Sequence, residues 1–305
     1  MKRNNSKHSL INKCYLERSR KVSLCPSILF FFLIIPFHFS FAQNDSITFA
    51  LVQHKVEKFK YSQEPLITDR PDQTESPNVL RKGFLQVETG TFYETFEDNN
   101  IQNENFTYNT TLVRFGLLDN LELRLGWNFT EGKTNINGKS TNNVTSGFKP
   151  LLLGIKTSIA KEKGVFPDIG LLGHLYLPFT ASTDYKPENT GVDFRFAFAH
   201  TLNENSSLSY NLGAAWGNDS PEASFVYTIA YGIGVTEKIG AYAELYGDLP
   251  ENNKANHFWD AGFTYLISNN IQLDATIGTS ITKGQDLLLS AGVSFRIPKT
   301  KNIQI

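Results

Sequence analysis

The sequence is short of several residue types that soluble proteins use freely. In 305 residues there is one methionine, and the only two cysteines, Cys14 and Cys25, stand near the N-terminus. Charged residues make up only 19%, and a net charge of -1 leaves no basic excess for binding nucleic acid. After the N-terminal region, no run reaches the roughly 18 apolar residues of a spanning helix. These absences exclude a helical membrane protein and argue against a nucleic-acid partner.

The N-terminal region has the pattern of a secretory signal peptide. Residues 1–21 carry seven basic side chains and one acidic one, and an apolar run follows that ends in Ser40-Phe41-Ala42. Small residues three and one before a cut suit signal peptidase, so we expect a signal peptide over residues 1–42. The alternative is an N-terminal membrane anchor. Cleavage would remove both cysteines and leave a net charge of -7, so an exported chain of this length needs some other means of stabilisation.

The rest of the chain favours β-structure. Aromatic residues reach 13%, with 24 Phe and 12 Tyr, and these residue types are enriched in strands. Apolar and polar residues alternate with a period of two, most clearly over 270–281 and 285–297, which indicates strands with one apolar face. The pattern predicts twelve strands: 83–97, 105–117, 120–131, 147–160, 168–181, 190–202, 206–217, 222–236, 239–249, 256–267, 270–281 and 285–297.

These strands predict a transmembrane antiparallel up-and-down β-barrel. Each is about 10–14 residues long, close to what a tilted strand needs to cross a bilayer. Short turns alternate with longer polar loops at 132–146, 182–189 and 250–255. Alternation alone does not say which face is inside, so a soluble β-sandwich or a lipocalin-like barrel is the alternative. Charges of both signs on the polar face, and aromatic residues near the strand ends of the apolar face, favour lipid outside.

The strongest motif lies just before the first predicted strand. Residues 68–77 spell TDRPDQTESP, and residues 83–90 spell GFLQVETG. This opening resembles that of the bacterial transporter family named for the MetA pathway of phenol degradation, where a TDRPDxTESP segment leads into a GxxQxExG strand. The resemblance implies an exported outer-membrane barrel that passes small aromatic or hydrophobic compounds. Elsewhere the chain agrees with the family only in its architecture.

The motif also has an interpretation from its own residues. Its charges are too dense to face lipid, and Pro71 and Pro77 keep it extended. It would serve either as a plug that pairs with inward arginines (Arg114, Arg124, Arg195 or Arg296) or as a periplasmic cap over a turn. The candidate lumen residues are Asp69, Arg70, Asp72, Glu75, Arg124, Asp193, Arg195, Glu244, Asp274 and Arg296. The predicted organisation is a signal peptide (1–42), a periplasmic segment or plug (43–82), a barrel (83–297) and a tail (298–305).

The sequence offers little support for an enzyme. The four histidines after residue 42 form no metal-binding motif, and no cofactor is predicted. His200 on the apolar face, with Ser206 and Ser207 after a turn, is the nearest approach to the Ser/His pair of a barrel lipase. We therefore expect an outer-membrane channel or transporter, against two alternatives: a non-conducting structural or surface-interaction barrel, and a lipid-modifying enzyme. Its expected partners are outer-membrane lipids, the barrel-assembly machinery and a small hydrophobic solute.

Overall fold

The computed structural model describes residues 64–298 apart from Asn99, Asp219 and Lys283, so the expected signal peptide and residues 43–63 lie outside the described residues. The strands are β1 (Leu85–Asp98), β2 (Ile101–Leu118), β3 (Leu121–Ile136), β4 (Lys139–Phe148), β5 (Leu151–Ala160), β6 (Asp168–Leu177), β7 (Asn189–Asn203), β8 (Ser206–Asn218), β9 (Ser220–Gly234), β10 (Ile239–Pro250), β11 (Asn256–Ser268), β12 (Ile271–Ser280) and β13 (Gln285–Ile297). Two single-turn 3₁₀ helices, Pro178–Thr180 and Thr183–Tyr185, join β6 to β7. No helix of the described part is long and apolar enough to cross a membrane.

The strands close into one antiparallel barrel. Strands that follow one another in the chain pair with each other, except β4 and β5, and β1 pairs with both β2 and β13, which joins the two ends of the sheet. Strand β3 pairs with β4 along Phe129–Ile136 and with β5 along Leu121–Gly126. Because β4 and β5 share one position in the wall, the barrel has twelve strands. The predicted fold class is confirmed.

The apolar face of the wall points outward. Along β12, the outward Leu273 and Ile277 are exposed, whereas the inward Gln272 and Asp274 are buried. Elsewhere the inward Arg114 and Lys156, and the polar side chains near them, are almost completely buried, and the large exposed side chains are mostly apolar. A soluble barrel or sandwich would have the opposite arrangement, so that alternative is wrong.

The region expected as a loop at 132–146 is instead part of the wall. Strand β3 continues to Ile136, and β4 returns from Lys139 through a turn at Asn137-Gly138, where φ is 51° and 72°. Asn-Gly favours such turns because both residues tolerate positive φ. Apart from Ile136 and Val144, residues 130–147 of the hairpin are polar or glycine, so the alternation that marks the other strands is missing from this part of the sequence.

Proline explains two further differences from the predicted strands. The strand expected over 147–160 is interrupted at Lys149-Pro150, where Pro150 has no N–H to donate to the ladder. The strand expected over 168–181 ends at Leu177, before Pro178 begins the first 3₁₀ turn. At the other strand ends, the structure and the prediction differ by a few residues.

The two ends of the barrel differ. One end, here called the terminal end, carries the start of β1, the end of β13 and short connections such as Asp119-Asn120 and Asn269-Asn270. The opposite end, the loop end, carries the β3–β4 hairpin and the connections over 178–188 and 251–255. This polarity gives the lumen a direction, from the terminal end to the loop end.

Candidate functional site in the barrel lumen

Residues 66–80, here called the plug segment, lie inside the barrel. The segment belongs to no strand, so its backbone groups need partners other than a ladder. Side chains of the wall provide them. Four plug N–H groups donate to wall side chains: Asp69 to Glu88 (3.0 Å), Gln73 to Glu244 (2.7 Å), Glu75 to Asn211 (2.7 Å) and Leu80 to Glu122 (2.9 Å). The wall sequence therefore determines where this extended chain runs.

Asp69 is the central anchor of the plug segment. Its carboxylate lies 2.7 Å from Lys156, 2.9 Å from Arg124 and 3.1 Å from Arg114. These side chains are at most 2% exposed, so the contacts are shielded from water. Burial by itself would raise the pKa of Asp69, but the three cations outweigh it and hold that pKa well below its usual range. Asp69 is therefore a carboxylate, fixed against one side of the lumen.

Further acids complete this cation-rich wall. Glu75 of the plug segment lies 2.8 Å from Arg124 and 3.1 Å from Lys156. Arg114 also binds two wall carboxylates, those of Glu88 and Glu122, each at 2.8 Å. Each buried cation thus contacts at least two carboxylates, which is the arrangement that a buried charge requires. Together these contacts hold the plug segment against β2, β3 and β5.

Arg70 binds a neighbouring part of the wall. Its guanidinium donates to Asp274 on β12 at 2.9 Å and to Ser290 on β13 at 3.0 Å. Gly292 makes room for it, because a Cβ there would stand 2.5 Å from the guanidinium nitrogens. Consecutive residues of the motif, Asp69 and Arg70, therefore bind different strands on the same side of the barrel, Asp69 at β2, β3 and β5 and Arg70 at β12 and β13. The dense mixed charge of the motif corresponds to a segment that pairs with several strands of the wall.

A third contact joins the plug segment to β10 and β11 without an ion pair. Glu244 accepts hydrogen bonds from the Gln73 N–H, at 2.7 Å, and from the Thr74 hydroxyl. Burial raises the pKa of Asp72 well above its usual range, and the nearby carboxylates of Glu244 and Asp260 raise it further. Asp260 on β11 is 1% exposed, so its carboxyl group is shielded from water close to those of Asp72 and Glu244. Because the carboxyl groups of Asp72, Glu244 and Asp260 lie close together here, the strength of this contact depends on their protonation.

The plug segment separates two cavities. An outer cavity of about 440 Å³ lies toward the loop end, and an inner cavity of about 470 Å³ lies toward the terminal end. Arg70, Pro71 and Asp72 line both of them. These three residues therefore form the partition that divides the lumen.

The structure brings together most of the candidate lumen residues: Asp69, Arg70, Asp72, Glu75, Arg124, Glu244 and Asp274 all take part in plug contacts. Asp193 binds His174 (3.0 Å) and Tyr176 (2.7 Å) on the neighbouring strand, and Arg195 donates to the Gln73 carbonyl at 3.3 Å. Arg296 lies at the terminal end and donates to the carbonyls of Glu64 and Asn269.

Sequence reasoning left several plug contacts out of the candidate set. The period-two pattern places Lys156 and Asp260 on the polar face of their strands, and that placement could have marked them as candidates, because buried charges need partners. Thr74 and Asn211, whose side chains also bind across the plug contact, give no such signal. Their partners are distant in the chain, so only the closed barrel reveals them.

No catalytic arrangement accompanies these contacts in the part of the chain that the structure describes. His200 stacks on Tyr210 and lies 3.4 Å from its hydroxyl, so its described partner is a tyrosine and not a serine. Within the described ranges, no cluster of three or more His, Cys, Asp or Glu side chains could hold a metal ion.

Comparison with known proteins agrees with this architecture. Residues 68–297 match the family model described as "Putative MetA-pathway of phenol degradation". The chain belongs to this family. The match begins at Thr68, the first residue of the TDRPDQTESP motif, so the MetA-pathway family model includes most of the plug segment together with the barrel.

Solved structures show that the MetA-pathway fold is shared more widely than its sequence. The COG4313 outer membrane channel from Pseudomonas putida F1 superposes with a TM-score of 0.56 at 12% identity, covering 75% of this chain and 100% of that one. The KdgM porin superposes with a TM-score of 0.46 at 8% identity, covering 69% and 98%, which is too distant to support an argument. No curated protein matches the chain.

Proposed function

We propose that this chain is a channel of the bacterial outer membrane whose lumen is closed by the plug segment. The outward apolar face suits lipid, and the polar lumen suits the passage of a solute through the wall. The COG4313 structure with the same fold is named as an outer membrane channel, which supports this proposal.

The observation that carries the proposal is the partition at Arg70-Pro71-Asp72. Because these residues line both cavities, a solute that crosses the lumen must pass them. They are held by buried charges and hydrogen bonds, not by backbone ladders. Side-chain contacts of this kind can open while the barrel wall keeps its own hydrogen bonds. The plug segment is therefore the movable part of the lumen.

The surroundings of the channel follow from its surface and its family. The apolar exterior would contact outer-membrane lipids, and a barrel of this kind would be inserted by the barrel-assembly machinery. The solute would be small and largely apolar, as the family's name suggests. On this proposal the protein is not an enzyme.

A non-conducting structural barrel is the second candidate. The observation in its favour is the extent of the buried charge network around Asp69, in which each cation has more than one carboxylate partner. A permanently closed lumen would need such firm anchoring. A disulfide tether between the plug segment and the wall separates this candidate from the channel.

A reversible tether tests whether the plug segment must move. The hydroxyls of Thr74 and Thr228 lie 2.7 Å apart, so cysteines at these two positions stand close enough to form a disulfide. Both native cysteines fall in the expected signal peptide, so the exported protein would contain only this pair. In planar bilayers, the channel proposal expects conductance events that disappear on oxidation and return on reduction.

Single-cysteine variants, Thr74→Cys and Thr228→Cys, are the matched controls, and neither should respond to oxidant. Conductance that is identical in the oxidised and reduced protein would show that solutes pass without movement of the plug segment. An absence of conductance in the wild type and in the reduced variant would favour the structural barrel.

A further inference from the structure

The outer cavity combines an apolar surface with a part-buried cation, Arg195, that forms no described ion pair; Lys149, which also lines the cavity, is exposed at the loop end. Phe92, Leu112 and Leu152 line it from β1, β2 and β5, on the same inward faces that carry Glu88, Arg114 and Lys156 further along. Arg195 of β7 also lines it, and its side chain is only partly buried. A ligand in this cavity would therefore contact apolar side chains of β1, β2 and β5 and the guanidinium group of Arg195 on β7.

The other charged groups that line the cavity near the plug segment are largely neutralised by their own partners. Asp69 and Glu75 bind Arg124 and Lys156, Glu88 binds Arg114, and Arg70 binds Asp274. Asp193, two residues before Arg195, is 5% exposed and already accepts from His174 and Tyr176. The raised pKa of Asp72 reduces its negative charge. None of these groups therefore holds Arg195 directly.

Arg195 itself uses little of its hydrogen-bonding capacity. A guanidinium has five N–H donors, and the bond described for Arg195 is one long contact of 3.3 Å with the Gln73 carbonyl. Among the described residues, no carboxylate lies within ion-pair distance of it. The remaining donors are available to an anion, and guanidinium suits a carboxylate in particular because two parallel bonds can form.

We propose that the outer cavity binds a small organic anion with an apolar body, such as an aromatic carboxylate. The carboxylate pairs with Arg195, and the apolar body packs against Phe92, Leu112 and Leu152. This inference rests on the proposed channel function and names its solute class more narrowly than the family does. It also places the solute in direct contact with Gln73 and the neighbouring plug residues, at the partition that it must pass.

Calorimetric titration of the exported chain in detergent, with three probes, tests the proposal. Benzoate has both the carboxylate and the apolar body, benzyl alcohol lacks the charge, and acetate lacks the apolar body. Benzoate should bind about tenfold or more tightly than benzyl alcohol, because a charge-assisted hydrogen bond outweighs a neutral one. Acetate should bind more weakly than benzoate as well, because it leaves the apolar surface uncovered.

Variants then assign the site. Arg195→Gln should reduce benzoate affinity to that of benzyl alcohol and leave the alcohol unchanged, while Leu152→Asn should weaken both aromatic probes alike. Lys161→Gln, which removes a positive charge from an exposed side chain at the terminal end, is the control and should change neither. Circular dichroism melts establish that each variant is folded.

Two outcomes would overturn the inference: equal benzoate binding by Arg195→Gln and the wild type, or no preference of the wild type for benzoate over benzyl alcohol. Conductance of the same preparations keeps this test separate from that of the channel. A protein that conducts without the benzoate preference contradicts the inference alone. A protein that binds benzoate but never conducts contradicts the proposed function.

Discussion

Replacing Lys156 with methionine tests the central anchor of the plug segment. The ammonium group is completely buried and lies 2.7 Å from Asp69 and 3.1 Å from Glu75, both in the plug segment. Methionine fills a similar volume but leaves these carboxylates with Arg124 and Arg114 as their remaining cations. The plug segment would then carry an excess of buried negative charge, which it can relieve by leaving the wall for water.

The magnitude follows from the burial of the pair. Removing one partner of a buried ion pair costs about 3–5 kcal/mol. The lower end applies because both acids keep an arginine partner, and about 3 kcal/mol corresponds to a factor of about 150 in the docking equilibrium. The barrel itself should remain folded, because its wall is held by backbone ladders that the substitution leaves intact.

The assay is thiol labelling in a Thr74→Cys background, where residue 74 is 4% exposed in the docked state. Labelling should accelerate by about two orders of magnitude with Lys156→Met. The matched control is Lys161→Met, whose ammonium is 66% exposed and makes only exposed contacts, with Asp168 at 3.7 Å and with the plug residue Asn78 at 3.2 Å. An exposed pair of this kind contributes at most about 1 kcal/mol, so labelling should change by no more than about fivefold.

A rescue variant makes the reasoning refutable. Glu75→Gln combined with Lys156→Met removes one charge of each sign from the same cluster, so labelling should slow again toward the wild-type rate. Equal labelling rates for Lys156→Met and Lys161→Met would refute the argument that buried charge anchors the plug segment. A double variant faster than either single variant would show that the anchor is not electrostatic.

Three further predictions concern the plug segment and the orientation of the wall. Burial and the neighbouring carboxylates raise the pKa of Asp72 in the docked state, so docking strengthens as pH falls, within the range where Asp69 stays ionised, and weakens as pH rises. The open fraction of single channels should therefore increase with pH, and Asp72→Asn should flatten that dependence; a wild-type profile independent of pH would contradict it. Gly292→Ala should displace Arg70 from Asp274 and lengthen the openings of single channels. Gly232→Ala is the control and should leave the openings unchanged, because its new Cβ would make only an ordinary 3.4 Å contact. Unchanged openings in both variants would mean that Arg70 does not hold the plug segment. In intact cells, a water-soluble thiol reagent should label cysteines at Asn137 or Asn252 and spare those at Leu123 or Ile277, and the reverse pattern would rule out the outward apolar wall.

The sequence by itself determined the wall of this protein. Outward apolar and inward polar residues alternate in almost every strand, and a one-residue slip would reverse the two faces, so the pattern specifies strand identity and register together. The polar face also carries mixed charges that already point to a lumen. The hairpin at Asn137-Gly138 was missed because its residues are polar on both faces, which leaves no periodic signal.

Only the tertiary structure decided what fills the barrel. The motif around Asp69 shows that charged residues must find partners, but Asp69 meets Lys156 across 87 positions of the chain, and Arg70 meets Asp274 across 204. Alternation places a side chain inside the barrel and says nothing of its height or of the strand that it faces. Barrel closure sets both, and it brings the acids of one short segment to the cations of β2, β3 and β5 and its arginine to β12 and β13. That is why the charge of the plug segment was predictable, while its partners and the two cavities beside it were not.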